Sequence, residues 1–306
     1  MSETGELFQY LHTIRDFIRW GATCMNAAGV HFGHGTADAV DEAAALVLHA
    51  LHLPPDLPED FLQAALTPTE KQIVVNLLER RVHERKPAAY LMNRAWFMGL
   101  PFYVDERVLI PRSPLAEWIE RRFEPWLVNP EAEVSILDLC TGSGCIGIAC
   151  AYAFPEAEVT LTDISPAALA VAQRNIAEHG LQARVQAIQS DLFTALPSRS
   201  YDLIISNPPY VSKNAVAHLP EEYHHEPILG LEAGEQGLDV IVEMLRQAAN
   251  YLNAGGILVV EAGNAQDVLS TAFPEIPFTW LDCERGGEGI LLLTAEQLCE
   301  SWHRFS

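Results

Sequence analysis

Apolar and polar positions recur along this chain with two different periods, and the change of period divides it. Over residues 1 to 92 the period is helical. Leu7, Leu11, Ile14, Phe17, Ile18 and Met25 return at helical spacing, and the alanine- and leucine-rich run from Ala37 to Leu53 is ended by Pro54-Pro55. A further helix opens at Thr67-Pro68-Thr69-Glu70, where Thr67 caps, Pro68 suits the first turn and Glu70 completes a capping box. Ile73, Val74, Leu77 and Leu78 give it an apolar face. A small helical bundle is expected here. From 93 to 112, short β-prone runs broken by Gly99, Pro101 and Pro111 suit a β-hairpin linker. From 113 to 306 buried apolar runs alternate with helical ones: a run from Val134 into Thr141, Ala183 to Gln189, Asp202 to Ser206 and Gly255 to Glu261 as strands, Gly237 to Leu252 and Gln266 to Phe273 as helices. Two last β runs, Phe278 to Cys283 and Gly289 to Leu293, flank Glu284-Arg-Gly-Gly-Glu288. The class is α/β, built on a sheet of alternating strands and helices.

Two strand ends carry candidate chemistry. The run Asp202 to Ser206 is stopped by Pro208 and Pro209, which have no N–H for a sheet, so Asn207 sits at a strand's carboxyl end. In an open α/β sheet ligands bind at that edge. Asn207 contributes an amide, the two prolines hold the backbone extended with free carbonyls, and Tyr210 adds a flat aromatic face. Together they describe a slot for a planar group bearing an NH2. Earlier, a strand runs into Thr141-Gly142-Ser143-Gly144 and then a helix, which lets backbone N–H groups approach a ligand. Gly142, Gly144 and Gly147 satisfy G-x-G-x-x-G and Asp163 follows at the distance of a ribose-binding carboxylate, so spacing alone leaves a nicotinamide dinucleotide open.

Charge narrows the partners. Lys and Arg number 19 against 41 Asp and Glu, a net charge of -22, whereas nucleic-acid binding needs a cationic footprint. A general grip on nucleic acid is therefore not expected, and a basic partner is drawn in by such a field. The six cysteines form no Cys-x-x-Cys pair, which points to reduced thiols in the cytoplasm. His31 with His34, and His49 with His52, lack an acidic or cysteine partner at ligand spacing and read as packing, with no metal site expected. His224-His225 reads as a polar lip in the long loop from Val211 to Leu231. Neither a leader at the amino terminus nor an apolar run of membrane-spanning length is recognisable, so no membrane association is expected.

Asn207-Pro208-Pro209-Tyr210 resembles the substrate motif of the amino-methylating, S-adenosylmethionine-dependent methyltransferases, which include adenine methylases of nucleic acids and glutamine methylases of proteins. Val108-Leu-Ile-Pro-Arg-Ser-Pro-Leu-Ala-Glu117 is similar to the protein-glutamine methyltransferases, and its Pro-Arg-Ser-Pro to the branch that modifies a large-subunit ribosomal protein rather than release factors. The resemblance implies a seven-stranded Rossmann-like domain over 113 to 306 and S-adenosyl-L-methionine as cofactor. It also implies a basic large-subunit ribosomal protein as substrate, with the helices of 1 to 92 holding it. Cofactor contacts are implied at Asp138, Thr141, Gly142, Ser143, Gly144, Cys145, Asp163, Asp191, Leu192 and Asn207. Asn207 and the Pro208 carbonyl would hold the target amide, with Pro209 and Tyr210 packing on it. Release-factor glutamine methylation and adenine N-methylation are the alternatives. Ser212 stands where the family leads one to expect an acidic residue.

Overall fold

The computed structural model describes residues 3–127 and 133–304. Helices α1 (Glu3–Tyr10), α2 (Ile14–Ala27), α3 (Ala39–Ala50), α4 (Pro68–Glu84) and α5 (Ala88–Met92) belong to one unit, Met1–Ala95 together with Pro220–His225. The helical periodicity read through Leu11 is in fact broken there. Thr13 caps α2, its Oγ1 accepting the Asp16 N–H at 3.2 Å while Asp16 accepts the Thr13 N–H at 2.8 Å. The corresponding Thr67–Glu70 box starts α4 as expected. The face of α4 is rotated from the one read in the sequence. Lys71, Val74, Val75, Leu78 and Arg81 are buried at i, i+3, i+4 spacing, whereas Ile73 is 48 % exposed.

Two charged side chains on the buried side of α4 need partners, because an unpaired buried charge is costly. Lys71 Nζ donates to the Phe8 and Leu11 carbonyls at 3.1 and 2.5 Å. Arg81 pairs with Glu42 at 2.5 Å and Glu222 at 3.4 Å, and donates to the His31 carbonyl. Burial works to raise the Glu222 carboxyl, but Arg85 at 2.8 Å, the His31 N–H and Arg81 outweigh it and hold it below the usual range. Buried His34 lies with its ring 4.5 Å from that of Tyr223, in keeping with a packing role.

The other unit comprises Trp96–Leu219 and Glu226–Ser306. Strands β1 (Ala95–Phe97) and β2 (Leu100–Phe102) make a hairpin whose turn, Met98-Gly99, has positive φ at both positions, as a type I′ turn requires. Only these residues of the 93–112 stretch pair as strands, and 103–112 runs on irregularly. Helix α6 (Leu115–Glu120) follows Pro114. Strands β3 (Ser135–Leu139), β4 (Glu158–Asp163), β5 (Val185–Gln189), β6 (Tyr201–Ser206), β7 (Leu252–Glu261), β8 (Thr279–Leu281) and β9 (Ile290–Thr294) form one sheet in the order β5-β4-β3-β6-β7-β9-β8. The first five are parallel, and β9 runs antiparallel to both β7 and β8. Intervening helices are α7 (Cys145–Ala153), α8 (Pro166–Glu178), the short α9 (Lys213–Val216), α10 (Asp239–Ala248) and α11 (Gln266–Ala272), and α12 (Ala295–Ser301) comes last. Ile136, Leu203 and Ile205 pack into one core beside α7, while Leu137, Leu139 and Ile204 pack into another with α10. Successive side chains thus bury on opposite faces, which is why these strands read as unbroken apolar runs.

Candidate active site

After β3 the chain builds outward through β4 to β5, then returns to place β6 on the other flank of β3. That reversal opens a crevice at the carboxyl ends of the strands. It holds a cavity of about 370 Å³, within the range of small-molecule sites, lined by Thr141, Gly142, Ser143 and Cys145 after β3, Asp163 at the end of β4, Asp191 and Leu192 after β5, and Asn207 and Pro209 after β6. Residues 107–113, Pro227, Leu229 and Gly230, and Asp239, Val240 and Glu243 also contribute to the wall.

The glycine turn is shaped by its neighbours. Gly142 has φ +55° and a Cβ there would meet no protein atom within 4 Å, so its missing side chain leaves space on the cavity wall. Asp163 accepts the Gly142 N–H through Oδ2 and the Ser165 N–H through Oδ1, both at 2.9 Å, which fixes its carboxylate at the rim. Burial raises that carboxyl and these N–H groups oppose the rise. Gly147 serves packing instead, since a Cβ would come 2.1 Å from Leu161. Two of the expected cofactor contacts, Asp138 and Gly144, do not line the cavity. Asp138 is fully buried beneath the turn, where Oδ2 accepts from Thr141 Oγ1 at 2.5 Å and the Gly147 N–H at 2.9 Å. Burial drives the Cys145 thiol to about 12 and holds Cys140 higher still, so neither is a thiolate.

Asn207 is half-buried, and among the described residues no protein group hydrogen-bonds its side chain. Pro208 is buried behind it and Pro209 stands on the wall. Tyr210 is not on the cavity wall. Its ring lies against Gly263, where a Cβ would sit 2.6 Å from Cε2, and its hydroxyl donates to Glu261 at 2.9 Å. The residues present fit a nucleoside-bearing cofactor: a carboxylate at the end of β4, a side-chain-free turn beside it and the apolar Ile164 and Leu192 on the wall.

Comparison with known proteins shows which family the chain belongs to. Residues 126–221 match the family model described as Methyltransferase small domain. The ribosomal protein uL3 glutamine methyltransferase of Francisella tularensis is 48% identical over 293 residues, which are 96% of this chain and 93% of that protein. Its namesake from Bordetella pertussis is 49% identical over 290 residues, 95% and 97% of the two chains. This chain belongs to the uL3 glutamine methyltransferase family.

As a member of the uL3 glutamine methyltransferase family it is an S-adenosylmethionine-dependent enzyme, and several residues that serve its site escaped the sequence reading. Asn175, on the apolar side of α8, accepts the Tyr103 N–H and donates to the carbonyls of Tyr103 and Ser143, tying the 103–112 stretch to the glycine turn. Glu226 accepts both nitrogens of Arg112 and the Ile110 N–H, pinning the turn Ile228–Gly230 to that stretch. A polar residue on an otherwise apolar helix face was the available signal for Asn175. Nothing local marked Glu226. The loop expected from Val211 to Leu231 is largely tied down. Val211 donates to the Leu231 carbonyl, Ser212 caps α9 where an acid was expected, and Pro220–His225 belongs to the helical unit.

Proposed function

We propose that this enzyme transfers a methyl group from S-adenosylmethionine to the side-chain amide nitrogen of a glutamine in ribosomal protein uL3, in the cytoplasm, before uL3 is covered by RNA. The observation that carries the reading is the Asn207 carboxamide, without a hydrogen-bond partner among the described residues, at the end of β6 on the wall of the cavity that Gly142 and Asp163 also line. When bound, S-adenosylmethionine supplies a sulfonium methyl, already a strong electrophile. The protein's task is therefore aiming. A glutamine nitrogen shares its lone pair with its carbonyl, so it reacts only when held in line, and orientation of that kind recovers about 7 to 11 kcal/mol of barrier. Asn207 Oδ1 and the Pro208 carbonyl accept the two amide N–H groups and stabilise positive charge developing on nitrogen. Asp163 receives ribose hydroxyls, while Thr141, Ser143, Asp191 and Leu192 border the remainder of the cofactor. Asp138 contributes from below by holding the turn through Thr141 and Gly147.

A net charge of -22 suits a basic, RNA-binding protein in its free form. The names of the relatives support uL3 over a release factor, and the charge speaks against adenine in nucleic acid. The test is transfer of labelled methyl to free uL3, a release factor, RNA and mature large subunits, with mass spectrometry of the acceptor. Free uL3 carrying one methylated glutamine is the expected product, with an association rate that falls as salt rises. Preferential labelling of nucleic acid or of mature subunits overturns the assignment.

A further inference from the structure

Pro-Arg-Ser-Pro separates branches of the resemblance, and its serine, Ser113, makes a contact that no part of the cofactor site requires. Ser113 Oγ lies 2.5 Å from Glu261 Oε2 and Tyr210 Oη lies 2.9 Å from Glu261 Oε1, so one carboxylate joins Pro-Arg-Ser-Pro to Asn-Pro-Pro-Tyr. Glu261 ends β7, the strand next to the one that delivers Asn207. Only 4 % of its surface is exposed. Ser113 Oγ also accepts the Leu115 N–H at 3.2 Å, which turns its proton towards Glu261. Both hydroxyls therefore donate, and a carboxylate, which only accepts, is the form that satisfies them. Three glycines make room for this arrangement. A Cβ at Gly263 would strike the Tyr210 ring, one at Gly237 would come 2.3 Å from the Tyr210 carbonyl, and one at Gly289 would strike the Gly263 backbone.

We propose that Glu261 is a positioning residue for methyl transfer: by holding the Tyr210 hydroxyl it fixes the carboxyl end of segment 207–210, and so the placement of Asn207 and the Pro208 carbonyl, with Ser113 holding Glu261 in turn. This rests on the proposed role of the Asn-Pro-Pro-Tyr slot. A buried carboxylate at the end of a strand has no need of two hydroxyls from separate segments merely to close the sheet, and the ring it anchors belongs to the residue three positions after Asn207.

The proposal predicts a pH signature. Burial raises the Glu261 carboxyl, against the Ser113 and Tyr210 hydroxyls and the Arg112 charge, and the Cys283 thiol is the other titratable group that feels it. Turnover should fall on acidification through a midpoint above the ordinary glutamate range, as protonation removes an acceptor. Ser113→Ala should move that midpoint to higher pH, and Ser113→Thr should restore it. Glu261→Gln should lower kcat by roughly 10- to 100-fold, the equivalent of one hydrogen bond to a charged group. Cofactor affinity and KM for uL3 should stay within about threefold, and the acid limb should disappear. Tyr210→Phe combined with Glu261→Gln should be no worse than Tyr210→Phe alone.

The decisive measurement needs no substrate. In protein labelled with 3-fluorotyrosine, the fluorine signal that Tyr210→Phe removes should titrate with the Glu261 midpoint in the parent enzyme and lie still in Glu261→Gln. A signal indifferent to Glu261, or a kcat unchanged in folded Glu261→Gln, overturns the proposal. If the parent enzyme methylates a different acceptor, the uL3 assignment falls instead, and the same variants are compared on that acceptor.

Discussion

Asp138→Asn should change how the stability of this enzyme depends on pH. The parent carboxyl has no exposed surface, and its Oδ1 finds no partner among the described residues. Burial lifts it to about 7, Thr141 and the Gly147 N–H pull the other way, and Asp163 adds a small upward push. In the unfolded chain it ionises near the ordinary value of about 4. Between those two values the folded protein keeps a proton that the unfolded chain releases. Stability from this group is therefore present at low pH and is lost as pH climbs from about 4 to about 7. Each pH unit in that window is worth roughly 1.4 kcal/mol, so the whole effect is on the order of 4 kcal/mol and the part between pH 5 and 7 about 3 kcal/mol. Asparagine keeps an oxygen for Thr141 and Gly147 but cannot ionise. Its NH2 replaces an oxygen already without a partner, which shifts the absolute stability by a constant and leaves the slope to report the titration. Urea unfolding of both proteins from pH 5 to 8 tests this, since other groups cancel in the difference. The variant should gain on the parent up to pH 7 and run parallel above it. Parallel curves throughout would mean that Asp138 is ionised in the fold and that the reasoning is wrong.

Asn207→Ala should lower turnover by about 100- to 1,000-fold, as expected for losing a preorganised acceptor, while calorimetric affinity for S-adenosylmethionine changes little. A loss under about tenfold would refute the aiming role. Gly142→Val and Asp163→Ala should each abolish cofactor binding, the first by filling the space left on the wall and straining a position at φ +55°, the second by removing the carboxylate at the rim. Normal calorimetric affinity in both would remove the cofactor assignment. Arg81→Met leaves Glu42 and Glu222 buried without their shared cation and should destabilise the helical unit by about 3 to 5 kcal/mol in thermal or urea unfolding, whereas under about 1 kcal/mol would show that the pair relaxes without loss.

What the sequence determined by itself was whatever depends on near neighbours. The Thr67–Glu70 box, the prolines that stop β6 at Asn207 and the glycine turn between β3 and α7 are each written within a few residues, because caps and turns are made by side chains bonding to backbone close by. The apolar strands and their alternation with helices were legible for the same reason. The tertiary structure alone decided which side of an element faces inward where the pattern was ambiguous. On α4 the adjacent Ile73, Val74 and Val75 allow two stripes, and packing against α2 and α3 chose the one that leaves Ile73 in water. It alone also paired the buried polar groups. Glu222 meets the His31 N–H across 191 residues, Glu261 meets Ser113 across 148 and Asn175 meets Tyr103 across 72. Such partners carry no local signature. A buried charge or amide must find a complement, but which one it finds is settled by the order in which strands and loops are laid side by side.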